Sequence, residues 1–362
     1  MKKLENTSKE KEKAFLLGAV LDNRIDITSQ LDELERLAET AGLLVLGRNS
    51  QYIREITPAT LFGKGKLEEI KEEIESLGAQ VVIVDYELTG SQMKNLTEVL
   101  GVKVLDRIGL ILDIFAMRAT TIEGKLQVEL AQLKYSLPRL ASLSGTSGRF
   151  GSGGVGMRGP GETKLELDRR VIDDKIFRLG KEIAKIKDQR YLKRQNRQFG
   201  SKKKVAIVGY TNAGKSTFLN LLTKAGIYAD DKLFATLETT SRSVWFSTNL
   251  QIILTDTVGF ISKLPHSLVD AFASTLEEAS DADLILHIVD ISNKDYQKQM
   301  EVVNKTLTQI GADKIPMIIA YNKVDNLNAI PFIKLKPNEV LISAKKNTGI
   351  ETLKQMIMEK FS

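Results

Sequence analysis

Residues 203–222, KKVAIVGYTNAGKSTFLNLL, restrict the fold more than any other stretch of the chain. An apolar run of strand character enters Gly209-x-x-x-x-Gly214-Lys215-Ser216 and leaves as an amphipathic helix. A glycine-rich turn between a buried strand and a helix places backbone N–H groups around an anion at the helix N-terminus. The unit needs neighbouring parallel strands to bury it, so this part of the chain is expected to be an open α/β sheet. Gly209, Tyr210, Thr211, Asn212, Ala213, Gly214, Lys215, Ser216 and Thr217 are the candidate phosphate-binding residues. Lys215 is placed to reach the β- and γ-oxygens and Ser216 to ligate Mg²⁺.

Three further motifs follow in order. LQIILTD delivers Asp256 to a strand's C-terminal end, and Asp256-Thr257-Val258-Gly259 fits a DxxG turn. There a carboxylate holds Mg²⁺ through water while the Gly259 N–H meets a γ-phosphate. PMIIAYNKVD ends in Asn322-Lys323-Val324-Asp325. A carboxylate at Asp325 accepts from both the N1–H and the 2-amino group of guanine, donors that adenine lacks, so GTP is expected over ATP. Ser343-Ala344-Lys345 follows another strand and is suited to back the base through the Ala344 N–H. Between the first two motifs lies LFATLETTSR, in which Thr236 is the candidate switch threonine that ligates Mg²⁺, with Thr239 and Thr240 as rivals. Lys215, Thr236 and Gly259 are the candidate catalytic groups, and Ser216, Thr236 and Asp256 the candidate metal ligands. Trp245 is expected on a packed strand, and His266 and His287 are isolated and expected to carry no chemistry.

Upstream, residues 14–105 alternate apolar strand candidates with helical patterns. AFLLGAV, LLVLG, VVIVD and VKVLD read as buried parallel strands; 27–42, 66–78 and 89–101 read as helices, each ending in glycine. A small doubly wound α/β domain is expected. Beyond it, Ile122, Leu126, Leu130, Leu133 and Leu137 recur at helical spacing, and Leu165, Ile172, Ile176, Leu179, Ile183 and Ile186 continue a similar stripe. Two long helices with such seams should pair as a hairpin. The second, from about 162 to 197, would be on the order of 50 Å long, with Gly200 as the hinge after it. Between the helices, eight of the seventeen residues in 145–161 are glycine. The GSGGVG inside this segment follows a helix rather than a strand, so dinucleotide binding is not expected. The loop is either ordered by a phosphate-bearing partner through its backbone, Arg149 and Arg158, or a flexible connector. The expected division is 1–115, 116–199 and 200–362.

Charge is as uneven as structure. Residues 181–204 contain ten Lys/Arg and two Asp/Glu, a balance of +8, whereas the whole chain is +6, leaving −2 elsewhere. A localised basic strip is the footprint of nucleic-acid binding, although a solvated helix face would look similar. The chain has no cysteine, which excludes a disulfide framework and Cys-based metal sites. Its apolar runs fall short of the roughly 20 residues that span a bilayer. Glu5, Glu10 and Glu12 spoil any signal-peptide n-region. A cytoplasmic location without a membrane span is expected.

With these residues assembled, the chain resembles the HflX family of GTPases. The resemblance rests on PATLFGKGKLEEI (58–70), VLDRIGLILDIFAMRA (104–119), KLQVELAQLKYSLPRL (125–140), RGPGETKLELDRR (158–170), FATL, and DTVGFISKLPHSLVDAFASTLEE. It covers nearly the whole chain. It implies an N-terminal α/β domain, a helical hairpin carrying the glycine-rich loop, and a C-terminal Ras-like P-loop GTPase domain. It further implies binding to the large ribosomal subunit and its rRNA, with splitting of stalled or idle ribosomes; a monomer is expected. Several related GTPases hold a monovalent cation with an asparagine at the place of Asn212, so either K⁺ binds there or Asn212 only hydrogen-bonds within the loop. Some relatives continue past the end at Ser362, and contacts of such an extension are not carried over.

Phe260 stands where many small GTPases have the glutamine that positions the attacking water. A side chain without polar atoms cannot orient water, so slow hydrolysis by the free protein, completed on a partner, is expected; Phe260 simply packing under the switch segment is compatible with this. Two rival functions fit parts of the chain: a nucleotide-driven RNA-remodelling enzyme, and a non-catalytic GTP-gated adaptor.

Overall fold

The alternation of apolar runs and amphipathic segments folds into two sheets, one parallel throughout and one parallel but for an edge strand. A computed structural model describes residues 11–21, 26–144, 164–197, 202–223, 233–234, 240–248, 250–262, 278–327 and 334–361. It divides into two compact units, Met1–Met117 with Gln132–Arg178, and Arg118–Ala131 with Leu179–Ser362.

In the first unit, β1 (Lys13–Val20), β2 (Leu44–Tyr52), β3 (Val81–Val84) and β4 (Lys103–Asp106) form one sheet in the order β2-β1-β3-β4, parallel throughout. Helices α1 (Ile27–Thr40), α2 (Lys64–Leu77) and α3 (Gly90–Leu100) supply the crossovers. The starts of α1 and α3 are legible in side chains: Asp26 accepts from the Thr28 N–H, and Thr89 and Gln92 form a reciprocal capping box. β3, and β1 after Lys13, are apolar and buried because these strands are central, and Phe15, Leu17, Val82 and Val84 pack on Ile70, Ile74 and Leu96. β2 runs five residues past the expected LLVLG, through Arg48, Asn49 and Gln51. It lies at the sheet edge, where polar side chains reach solvent.

The run GLILDIFAM belongs to α4 (Arg107–Arg118). The long helices are α5 (Ile122–Ser144) and α6 (Lys164–Arg197). Of the row expected to be the seam of α5, Leu130 is buried and Leu126, Leu133 and Leu137 are partly covered, while its first member, Ile122, is 77% exposed. Val128 and Ala131, beside the row, are buried as well. α5 also continues through Pro138. The Tyr135 carbonyl, in the turn a proline loosens, accepts from Arg139 Nη1 at 2.7 Å. Arg139 Nη2 then donates to Leu88 O at 2.8 Å and to Asp106 Oδ2 at 3.2 Å. Asp106 Oδ1 accepts from the Tyr135 hydroxyl at 2.6 Å and the Gly109 N–H at 2.8 Å. This saturated, buried carboxylate bolts the second half of α5 to the end of β4. Along α6, Ile172, Ile176, Ile183 and Ile186 are partly covered and Leu179 is buried, the stripe the sequence marks out. The glycine-rich segment 145–161, Gly200 and His266 lie outside the described residues, as do the side chains of 190–197.

The second unit holds β5 (Lys203–Val208), α7 (Lys215–Thr223), β6 (Thr240–Ser247), β7 (Leu250–Asp256), β8 (Leu284–Asp290), α8 (Tyr296–Gln309), β9 (Met317–Asn322), β10 (Glu339–Leu341) and α9 (Ile350–Glu359). Strand order is β10-β9-β8-β5-β7-β6, with only β6 antiparallel. Alternate residues of β5 point to opposite cores. Val205 and Ile207 pack with Phe218, Leu254 and Leu353, while Ala206 and Val208 pack with Ile285 and Leu307. Trp245 departs from expectation: it is 63% exposed, because its face of the edge strand β6 carries no covering element among the described residues. Among the described residues no helix is long and apolar enough to cross a membrane.

Candidate functional site

The central strand β5 has β8 on one side and β7 on the other, so connections leave its C-terminal end in opposite directions. Ligands of open α/β sheets bind at such a switch point, and the 209–217 loop occupies it. Two glycines are dictated by close approach. A Cβ on Gly209 would lie 2.2 Å from Ile288 O, and one on Gly214 (φ +97°) 2.3 Å from Asn322 Nδ2. Lys215 is buried, with Nζ donating to Gly209 O at 3.1 Å and Tyr210 O at 2.9 Å. Burial lowers its pKa to about 8, against the pull of Asp256. Two candidate metal ligands meet: Ser216 Oγ donates to Asp256 Oδ2 at 2.7 Å, with Asp256 1% exposed at the end of β7. A hydroxyl and a buried carboxylate, all hard oxygen donors beside a phosphate loop, are a donor set that fits Mg²⁺. Asn212 has left-handed backbone (φ 60°), and Thr217 is exposed in the first turn of α7. Thr236 and Thr239 lie outside the described residues; Thr240 opens β6 opposite Asp256.

The DxxG turn folds directly onto the phosphate loop. Thr257 Oγ1 donates to Ile207 O at 2.8 Å, and the Phe260 N–H donates to Gly209 O at 3.1 Å. The Phe260 side chain is 2% exposed and packs with Ala206, Val208, Ala279 and Ile285. It faces the core, not the loop.

The base-recognition residues are brought together from two strand ends. Asn322 donates through Nδ2 to Ala213 O at 2.9 Å and accepts through Oδ1 from the Ala344 N–H at 2.9 Å. The Ala344 N–H, expected to face the base, therefore has a protein acceptor. Asp325 Oδ1 accepts from Ser343 Oγ at 2.6 Å, and this bond holds the carboxyl below its usual range. Lys323, in left-handed backbone, pairs with Asp290 at 2.8 Å, while Lys345 is exposed.

Three family models match in succession: GTP-binding GTPase N-terminal over residues 28–116, GTP-binding GTPase middle region over 118–197, and 50S ribosome-binding GTPase over 204–323. The GTPase HflX of Caldanaerobacter subterraneus subsp. tengcongensis is 49% identical over 354 residues, 98% of this chain and 82% of its own. The chain belongs to the HflX GTPase family. Within that family, the Escherichia coli GTPase HflX is 43% identical over 92% of this chain and 79% of its own. Among solved structures, a GTP-binding protein from Sulfolobus solfataricus in complex with GDP matches with a TM-score of 0.51 at 25% identity, covering 96% of this chain and 98% of that one.

Three features of this HflX-family site escape motif reading: Asn322 as the link between phosphate and base loops, the Lys323–Asp290 pair, and a contact between Tyr210 and Ser262. Each joins residues far apart in sequence. Only the spacing of motifs along alternating strands pointed to where such partners would converge.

Proposed function

We propose that this HflX-family GTPase binds GTP in the cleft built from 209–217, Asp256-x-x-Gly259, Asn322-Lys323-x-Asp325 and Ser343-Ala344-Lys345. It turns the nucleotide over slowly alone and faster on the large ribosomal subunit, whose occupancy it uses to split stalled or idle ribosomes in the cytoplasm. One observation carries the partner dependence: the residue in the glutamine position, Phe260, has its side chain in the core. It offers no atom to orient water, so another molecule must complete that function.

Within the site, Asp325 reads guanine and Lys215 neutralises the β- and γ-oxygens. The Gly259 N–H meets the γ-phosphate, and Phe260 leaves water unheld. Ser216, Asp256 and Thr236 would hold Mg²⁺, which supplies charge neutralisation on the phosphates when bound. Asn212 is the proposed K⁺ ligand. Function divides along the chain as 1–115, a small α/β domain; 116–199, helices and the glycine-rich loop; and 200–362, the GTPase domain. The basic strip at 181–204 and the 145–161 loop dock on ribosomal RNA, and the protein acts as a monomer.

Sedimentation with ribosomes and subunits, in GDP or a non-hydrolysable GTP analogue, tests the partner. Intrinsic and ribosome-stimulated rates are then compared at two salt concentrations, in K⁺ and in Na⁺. Charge reversal at Lys193, Arg194 and Arg197 should weaken ribosome binding and stimulation, because phosphate neutralisation makes RNA binding steeply salt-dependent. Full stimulation in that variant removes the RNA contact from the strip. Fast turnover by the wild type without ribosomes removes the role given to Phe260, and equal rates in both salts remove K⁺.

A further inference from the structure

Tyr210 does something the phosphate-loop motif does not require. The loop and the DxxG segment form a parallel bridge centred on Tyr210 and Phe260. The Phe260 N–H donates to Gly209 O at 3.1 Å, and the Thr211 N–H donates to Phe260 O at 2.8 Å. The Tyr210 side chain, 6% exposed, then reaches two residues further. Its phenol oxygen accepts from the Ser262 N–H at 2.7 Å and shares a hydrogen bond with Ser262 Oγ at 2.6 Å. Four polar contacts thus run along three consecutive loop residues.

The zipper closes the two segments together where a γ-phosphate has to fit. A Cβ on Gly259 would lie 2.8 Å from Thr211 Cγ2, 2.9 Å from Thr211 Cα and 3.1 Å from Lys215 Nζ. Lys215 and the Gly259 N–H are both assigned to the γ-phosphate, and here Gly259 lies directly against Thr211 and Lys215. Thr211, whose Cγ2 and Cα meet Gly259, also has a buried Oγ1 without a hydrogen-bond partner. GTP must therefore push the Gly259–Ser262 segment off the loop, whereas GDP, which ends at the β-phosphate, need not.

We infer that Tyr210 is a specificity-determining residue of this site: its phenol latches Ser262, and the latch disfavours GTP relative to GDP. The inference rests on the GTP-binding reading above. A ligand shifts an equilibrium only by its differential affinity for the two arrangements, and the latch is such a differential term. Its energy is charged to the triphosphate alone. Tyr210 acts through the position of Gly259 rather than on the reacting atoms.

The test measures Kd for GDP and for a non-hydrolysable GTP analogue by calorimetry on the full chain. Wild type is compared with Tyr210→Phe, Ser262→Ala and the double variant. Tyr210→Phe keeps the ring and removes both phenol contacts, so the analogue should gain about tenfold over GDP, the worth of two ordinary hydrogen bonds. Ser262→Ala leaves its backbone N–H on the phenol and should gain about threefold. The double variant should match Tyr210→Phe alone, since both changes remove the same contact. An unchanged ratio, or parallel losses for both nucleotides, overturns the latch. Should Tyr210→Phe fail to fold, Ser262→Ala decides alone, and an unchanged ratio there also overturns it. If wild type binds neither nucleotide, the site reading falls and the latch with it; if both bind and no ratio moves, only the latch falls.

Discussion

Gly214 and Asn322 compete for one space: a Cβ on the glycine would lie 2.3 Å from the asparagine Nδ2. The asparagine cannot retreat, because its amide is hydrogen-bonded at both ends, to Ala213 O and from the Ala344 N–H, each at 2.9 Å. That pattern of one donor and one acceptor also fixes the amide orientation. Asn322 is thus a staple between the phosphate loop and the loop that holds the base, and Gly214 is the residue that lets it in.

Gly214→Ala should therefore damage GDP and GTP binding together, by about a hundredfold or more. The left-handed backbone at φ +97° adds strain of about 1–3 kcal/mol for any side chain. Asn322→Ala strands a buried carbonyl and a buried N–H, and should lower stability by about 1–3 kcal/mol for each. Parallel titrations of both nucleotides, with thermal melts of the free protein, check this. Selective loss of GTP alone would contradict the staple.

Asp325→Asn addresses base choice. Ser343 Oγ sits 2.6 Å from Asp325 Oδ1 and keeps the carboxyl ionised. An amide there faces the N1–H of guanine with a donor, and GTP affinity should fall by at least about 2 kcal/mol. Xanthosine triphosphate, whose altered edge suits an amide, should gain. Competition between the two nucleotides on wild type and variant reads the exchange directly, and unchanged GTP binding would remove Asp325 from the base site.

His287 predicts an acid limb of stability. It lies in the central strand β8, 1% exposed, with no partner for Nδ1. Burial, and secondarily the charge of Lys215, lowers its pKa from 6.5 to about 4. Between those values the unfolded chain binds a proton that the folded chain refuses, so stability falls as pH falls through this window. From pH 7 to pH 5 the loss should be about 2 kcal/mol. His287→Leu should delete that share of the slope and cost little at pH 7, since it removes a buried polar atom that lacked a partner. Urea midpoints at the two pH values compare wild type and variant. Equal slopes would mean that the imidazole titrates normally.

The strands and the phosphate loop were legible because their signals are local. Apolar runs mark β1 and β3, and the glycines of 209–214 mark a backbone that no side chain fits. Whatever depends on tertiary neighbours was not legible. Polar residues carry β2 onward only because it is an edge. The leucines of α5 read as a seam, but its buried face also takes Gln127 and Arg139, the latter held by Asp106. Phe260 was legible both as an absence of water-positioning chemistry and as a packing residue, though not which residues it would pack on. The partners Asn322–Ala213 and Tyr210–Ser262 are 109 and 52 residues apart in sequence, beyond any periodicity.

Trp245 has an optical consequence. It is the chain's single tryptophan and is 63% exposed on the outermost strand β6. Its indole already sits largely in solvent in the native fold, so its emission should shift little toward red when the chain unfolds. Melting followed by that signal would understate the transition, and far-ultraviolet dichroism is the better monitor. The same placement makes the indole an efficient spectator for contact: anything that lies along β6 must shield it from a soluble quencher such as acrylamide. A native tryptophan at one sheet edge thus gives a label-free readout of occupancy there, without a single engineered residue.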